Sequence, residues 1–437
     1  MKKERPVKMM LEYIVDLNNM NAAMEKVIRN KGAAGVDGVT VDELKAYYVE
    51  HVFEIRQAIL DGTYRPQPVR RVAIPKDLKR TKMRMLGIPA VIDRVIQQAA
   101  LQVLQPMFEP QFTETSYGFR PGRSCHDAIR KCLEYGNDGY VYVADMDLEK
   151  FFDTVNQSKL IQVLSKTIKD GRIISLIHRF LNAGAIWMGK FEETERGVQQ
   201  GSPLSPLLAN IMLNELDHEL ERRGHRYVRY ADDLVILCKS KASAQQALEH
   251  ITPYIEKKLF LKVNREKTVV AHITDIKFLG FGFYRNKEGD IRPGLHPKSK
   301  EKLIYKLRGL TERDGRYGDE QRKKKLREFV MGWIGYYALA DIKSFCERVD
   351  RWLRRRIRCV IWHRWKRVRT RYKNLRACGF PHWAAIATAN TRKGAWAMAK
   401  SPMINRAMSN DRLAAVGYTF FTPLYLIRSE ALKNLSH

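Results

Sequence analysis

Three carboxylates carry the first chemical signal. Asp147 closes the apolar run Tyr140-Val141-Tyr142-Val143-Ala144-Asp145-Met146, and Asp232 and Asp233 follow about 85 residues later within Tyr230-Ala231-Asp232-Asp233. Hard oxygen donors of this kind hold Mg²⁺, which keeps part of its coordination sphere open for phosphates. Two such ions about 3.5–4 Å apart stabilise both the attacking 3′-oxygen and the leaving pyrophosphate of an in-line displacement, so the triad points to phosphoryl transfer. An Asp-Asp pair alone is more often a turn or a helix cap. What gives it weight here is the strand-borne Asp upstream and a net charge of +30. Asp145 competes with Asp147 for the first position, because residues two apart on a strand share a face.

The elements that must position these groups are readable from local pattern. Val141 and Val143, flanked by Tyr140 and Tyr142, predict a buried strand running into Asp147. Tyr227, Val228 and Tyr230 before the Asp pair, with Leu234, Val235, Ile236 and Leu237 after it, predict a tight hairpin with both acids at its tip. Acids so placed are costly beside other carboxylates, and a cation must offset them. Between the two strand regions, Gln200-Gly201-Ser202-Pro203-Leu204-Ser205-Pro206 opens a helix from Pro206 to about Arg223, with Pro in the first turn as helices tolerate. Asp93 reads as the N-cap of a helix carrying Val95, Ile96, Ala99, Ala100, Val103 and Leu104.

A chain of 437 residues holds two to four domains by the usual ~100–200 residues each. Lys and Arg number 78 against 48 Asp and Glu, while 45% of residues are apolar, so the chain is folded and strongly basic and calls for a polyanionic partner. The stretch Pro297 to Arg376 holds 26 Lys/Arg and nine Asp/Glu, which is +17 of the +30. Its periodicity predicts a helical bundle with an aromatic core stripe of Phe329, Trp333, Tyr336 and Tyr337, then Val349, Trp352, Ile357, Ile361 and Trp365. The outer faces are arginine-rich, and Arg354-Arg355-Arg356 is read as part of a nucleic-acid groove. The six cysteines stand singly, which indicates neither a disulfide framework nor a zinc cluster and fits a reducing cytoplasm. Glu12 and Asp16 interrupt any apolar core near the N-terminus, so no signal peptide is expected, and no run reaches the ~18–20 apolar residues of a membrane span.

Asp147-Leu148-Glu149-Lys150-Phe151-Phe152-Asp153, the 200–206 segment and Tyr230-Ala231-Asp232-Asp233 resemble palm motifs A, B and C of group II intron reverse transcriptases, the intron-encoded maturases, in order and spacing. Lys31-Gly32-Ala33-Ala34-Gly35-Val36-Asp37-Gly38 resembles that family's N-terminal extension. Ser116 to Pro121 resembles its fingers block, and Phe278-Leu279-Gly280-Phe281-Gly282 its primer grip. The resemblance covers nearly the whole chain.

It implies an α+β right-hand polymerase: fingers and palm with an antiparallel sheet in residues 1–295, an all-α thumb or X domain in 296–372, and a small basic helical DNA-binding-like domain in 373–437. Asp147, Asp232 and Asp233 would be the catalytic metal ligands for two Mg²⁺, with Mn²⁺ as a substitute. Phe152 would be the steric gate that excludes a 2′-hydroxyl, though an aromatic pair on a continuing strand also buries one ring in the core. Gln200 would line the nucleotide pocket, and Lys267 would help neutralise or protonate the pyrophosphate, its alternative being a solvated strand-edge lysine. Lys76 and Arg84 would meet the triphosphate, with Lys82 in reserve; the turn between them lacks the family's Gly-Gly and also holds Lys79 and Arg80. Arg120 and Arg123 in the fingers block would join Arg354, Arg355 and Arg356 in nucleic-acid binding. The implied partners are an RNA template, a DNA or RNA primer, dNTPs and a group II intron RNA in a ribonucleoprotein, in a bacterial cytoplasm and with no membrane. The His-Asn-His endonuclease module of some relatives is expected to be absent. The alternatives are a domesticated or defence-associated reverse transcriptase and a maturase that only assists splicing.

Overall fold

The computed structural model describes residues 10–76, 81–313, 315 and 317–434; Lys79, Arg80 and the N-terminal six residues lie outside the described residues. The architecture is α+β and divides into two compact units, residues 1–279 and 280–437.

In the first unit, two four-stranded sheets carry the motifs. One has strands in the order β2-β1-β4-β5, with β1 Val69–Pro75, β2 Met83–Ile88, β4 Ala185–Trp187 and β5 Lys190–Glu192. β1 and β2 form an antiparallel hairpin that sets Ile74 against Arg84. The other is ordered β6-β7-β3-β8, from β3 Tyr142–Met146, β6 Arg226–Tyr230, β7 Asp233–Cys238 and β8 Val269–His272. Every pairing in it is antiparallel, with Met146 opposite Leu234, Asp145 opposite Val269 and Tyr230 opposite Asp233. β7 is buried from Leu234 to Cys238, and Val143, Ala144 and Met146 of β3 are buried with it. Helices Ser205–Arg222, Lys241–Lys257 and Cys125–Asn137 pack on these strands, which is why a near-continuous apolar run stays ordered as a strand.

The helix predicted after Asp93 spans Val91–Phe108, with Ala90 as its N-cap. Asp93 is therefore not the cap. It lies inside the first turn, buried, and its carboxylate accepts from the Tyr64 hydroxyl at 2.6 Å and the Gln67 amide at 3.0 Å, tying the preceding loop to the helix. Burial pushes its pKa up to about 7. The Pro206 helix matches its expected span, running from Ser205 to Arg222.

In the second unit, a hairpin of β9 Phe281–Arg285 and β10 Ile291–Leu295 precedes helices Pro297–Leu310, Asp319–Tyr337, Lys343–Arg364 and Val368–Ala377. The predicted aromatic core stripe is corrected. Along Asp319–Tyr337 the buried apolar residues are Leu326, Val330 and Ile334, while Phe329, Trp333 and Tyr337 flank them half-buried and Tyr336 is exposed. The rings instead form a lateral cluster, with Trp333 edge-on to Phe421 at 5.4 Å and Tyr337 5.2 Å from Phe281. Large amphipathic rings fit such half-buried flanks, and branched aliphatics fill the tight seam. Asp350, fully buried, accepts from the amides of Phe421 and Thr422 at 2.8 Å each, and so anchors the C-terminal helix Phe421–Asn434. Among the described residues no helix is long and apolar enough to cross a membrane.

Candidate active site

β3 ends at Met146 and the chain turns at Asp147, whose amide donates to Thr268 Oγ1 at 3.2 Å and whose carbonyl accepts from Asn264 at 2.8 Å. The 262–268 segment thus backs the motif, and it delivers Lys267, whose Nζ lies 2.9 and 3.1 Å from the two Asp147 carboxylate oxygens. This is a cation of the kind the acidic tip demands. Lys277 adds a second favourable charge for Asp233. Asp232 and Asp233 occupy the β6–β7 turn, where Ala231 adopts a left-handed backbone at φ 57°.

The four acids feel one another. Asp233 is exposed by surface area, yet partial loss of water around its carboxyl, followed by the charges of Asp232 and Asp147, pushes its pKa up to about 6. Asp145, half-buried, is pushed up to about 7 by burial, then by Asp233 and Asp147. The structure thus places Asp145 within the same field rather than on a separate face, as the two-residue spacing implied. Among the described residues no three His, Cys, Asp or Glu side chains are drawn into a preformed metal cluster.

What holds the turn is a buried network. Arg229, 1% exposed, donates to both carboxylate oxygens of Asp217, to Asn210 Oδ1 at 3.0 Å and to the Ala231 carbonyl at 3.0 Å. Asn210 in turn donates to the Gly118 carbonyl at 2.8 Å, and the Tyr117 amide to that of Arg229 at 2.9 Å. Gly118 is pressed against the turn so closely that a Cβ there would lie 2.2 Å from the Ala231 nitrogen. Gly118→Ala should therefore displace the acidic turn and lower primer extension about a hundredfold, the cost of a misplacement near 1 Å, in an assay with saturating nucleotide.

Phe151 and Phe152 do not continue the strand. Lys150 turns left-handed at φ 46° and Phe151–Thr154 forms one helical turn, so Phe151 is buried while Phe152 stands half-buried at the surface of the cleft. Phe152 and Gln200 line two cavities. One, of about 290 Å³, also meets Arg71, Lys150 and Arg196; the other, of about 570 Å³, meets Arg84, Phe119 and Asp232. The Gly87 amide donates to the Gln200 carbonyl at 2.8 Å, and Gly201, at φ 109°, leaves no room for a side chain beside the Gly87 carbonyl. Strand β2 and the 200–206 loop are thereby clamped together. The N-terminal block reaches the larger cavity through Asn30 and Gly32, and Arg94 donates to the Ala33 carbonyl at 2.5 Å.

Several predicted residues lie elsewhere. Lys76, exposed at the end of β1, is not among the described residues lining either cavity, whereas Arg84 is. The Lys82 carbonyl accepts the Lys76 amide at 2.7 Å. Arg120 is buried, and its guanidinium donates to Glu109 and to the carbonyls of Thr113 and Ser116; it braces the loop and does not face a nucleic acid, which corrects that reading. Arg123 is paired to Glu114 beside the Tyr117 ring. Arg354, Arg355 and Arg356 are all half-buried: Arg354 lies over Phe420, Arg355 over Trp396, and Arg356 donates to Thr311 and the Arg308 carbonyl. Sequence reading did not place Arg71, Lys150 or Arg196 at the nucleotide cavity, and it missed the Arg229–Asp217–Asn210 network. Lys150 lies within the 147–153 motif, and Arg229 left a signal as a charge set between Val228 and Tyr230.

Residues 74–283 match the reverse transcriptase (RNA-dependent DNA polymerase) family, and residues 300–379 match the group II intron maturase-specific domain. The chain is 34% identical to protein YkfC of Escherichia coli over 65% of its own length and 86% of that protein's. To the group II intron-encoded protein LtrA of Lactococcus lactis it is 32% identical, covering 76% of this chain and 69% of LtrA. Similarity extends to the mitochondrial nuclear intron maturase 2 of Arabidopsis thaliana at 24% identity, over 48% of this chain and 36% of the other.

Proposed function

The chain belongs to the group II intron-encoded reverse transcriptases, RNA-directed DNA polymerases with a maturase domain, and from that premise we propose that Asp147, Asp232 and Asp233 form its nucleotidyl-transfer centre. The observation that carries the reading is that Asp232 shares one cavity wall with Arg84, Phe152 and Gln200, while pairing of Met146 with Leu234 brings the neighbouring Asp147 and Asp233 to the same end of the sheet. The family uses divalent metal ions, and the donor set fits Mg²⁺. Its donors are all carboxylate oxygens, burial and then their mutual repulsion raise the Asp233 pKa, and a lysine ammonium already sits on Asp147. Two Mg²⁺ ions, when bound, would supply charge stabilisation for the attacking and leaving oxygens.

The protein's own groups do the rest. Arg84 on one side of Phe152, and Lys150, Arg71 and Arg196 on the other, neutralise the triphosphate; Arg71 is itself held by Glu192. Lys267 moves from Asp147 toward the pyrophosphate as negative charge develops there. In this reading the Phe152 ring, which borders both cavities, excludes a ribose 2′-hydroxyl. Phe152→Ala should accordingly raise ribonucleotide incorporation about tenfold or more relative to dNTPs, read from competing single-nucleotide extension. If discrimination equals the parent's, the gate is not Phe152.

In functional terms we divide the chain into fingers and palm at 1–295, thumb or X domain at 296–372 and a DNA-binding-like domain at 373–437. The substrates are an RNA template, a primer and dNTPs. The basic second unit binds group II intron RNA in a cytoplasmic ribonucleoprotein that assists splicing and intron mobility. Its +17 charge over residues 297–376 supports that role.

A further inference from the structure

One cation-rich cavity takes no part in this chemistry. It lies within residues 280–437, encloses about 470 Å³ and is walled by Thr311, Arg313, Arg356, Cys359 and Trp396, with Glu312 the one acid among the described residues lining it. That volume falls in the range of about 300–1,000 Å³ typical of small-ligand sites. Arg356 is fixed in its wall: Nε donates to Thr311 Oγ1 at 2.6 Å, and a terminal nitrogen to the carbonyls of Thr311 at 3.0 Å and Arg308 at 3.2 Å. Arg355 donates to the Trp396 carbonyl at 3.1 Å and lays its guanidinium 3.9 Å from the centre of the indole.

Arg313 and Arg356 line the hollow, with Arg355 stacked on its Trp396 wall and Arg308 close enough to Arg356 to add its charge. Burial lowers the pKa of Arg356, and Arg308 and Arg313 add to the effect. Like charges brought together cost free energy that a bound anion would offset. Trp396 keeps 40% of its surface exposed, and with Arg355 stacked on it forms a planar, cationic wall. Fixed guanidinium groups beside an exposed aromatic plane are the chemistry that recognises an unstacked base and its phosphate.

We propose that this cavity captures a single unpaired nucleotide of a bound RNA strand, with the base against Trp396 and the phosphate between Arg313 and Arg356. The proposal rests on the polymerase reading only for the source of the strand.

The test uses the full-length protein and a single-stranded RNA 12-mer carrying 5-iodouridine. Photocrosslinks mapped by mass spectrometry should fall on Trp396. Trp396→Ala and Arg313→Gln should each weaken binding of the 12-mer about tenfold, the size of one base–aromatic stack or one fixed phosphate contact. Lys257→Gln, an equal loss of charge at an exposed position in the first unit, should weaken it less than twofold. Melting curves check that the variants fold. Trp396→Phe keeps a ring and should retain most of the affinity, so a collapse of Trp396→Ala does not end the test. Crosslinks elsewhere, or losses no larger than that of Lys257→Gln, overturn the proposal. Protection of Trp396 by millimolar AMP or inorganic phosphate as effective as the 12-mer itself would also overturn it, since a free small anion would then be the occupant. Primer extension by the parent protein, run in parallel, tests the polymerase reading separately. Extension without a Trp396 crosslink sinks this inference alone, and a crosslink without extension sinks only the polymerase reading.

Discussion

Asp232→Asn should abolish primer extension while leaving the fold intact. Two bound ions supply several kcal/mol of transition-state stabilisation, and removing one ligand charge that holds them should cost about 4 kcal/mol, or roughly a thousandfold in rate. The same change relieves a repulsion. Asp232 is the first charge, after burial, to push the Asp233 pKa up to about 6, so the neutral amide lets Asp233 titrate nearer its ordinary range. The melting temperature should hold or rise slightly. Extension in Mg²⁺ and thermal melting, measured on one preparation, check both halves. A variant that extends at the parental rate would remove Asp232 from the catalytic set.

Arg229→Met and Asp217→Asn should each unfold the first unit much more readily. Both side chains are buried, 1% and 0% exposed, and breaking such a pair leaves the other charge without a partner, at a cost of about 3–5 kcal/mol. For a unit of this size each kcal/mol shifts the transition by about 2–4 °C, so a fall of about 6–20 °C is expected by calorimetry. The double variant Arg229→Met with Asp217→Leu distinguishes two roles. Removing both charges should restore much of the stability, because no unpaired ion is left behind. Extension should stay low, because the donor that reaches the Ala231 carbonyl and Asn210 is gone and the acidic turn loses its anchor. A double variant with both stability and activity restored would show that the pair carries stability alone.

Much of the candidate site is legible in the chain. The strand into Asp147, the hairpin around Asp232 and Asp233 and the helix opening after Pro203 depend on residues adjacent in sequence, where alternation and turn chemistry act directly. The demand for a cation beside the acids is also readable as charge arithmetic. Which residue supplies it is not: motif resemblance assigns Lys267 to the pyrophosphate, whereas in the fold its ammonium rests on Asp147.

By itself, the sequence determined which chemistry was available: three acids in order, an aromatic pair after the first, a turn-rich loop at 200–206 and an excess of Lys and Arg. Tertiary structure decided which of those side chains can reach a substrate. Arg120 reads as a nucleic-acid contact, but Glu109 and carbonyls of its own loop take up its donors. Arg354, Arg355 and Arg356 read as an open basic face, but they are half-buried against Phe420, Trp396 and Thr311. Arg196 and Arg71 carry no motif and Lys150 is only a spacer within one, yet all three share a cavity wall with Phe152. The reason is the same in each case. A long cationic side chain carries several donors, and whether it meets solvent, a carbonyl or a ring depends on how its own loop folds back or on segments distant in the chain, neither of which local periodicity encodes.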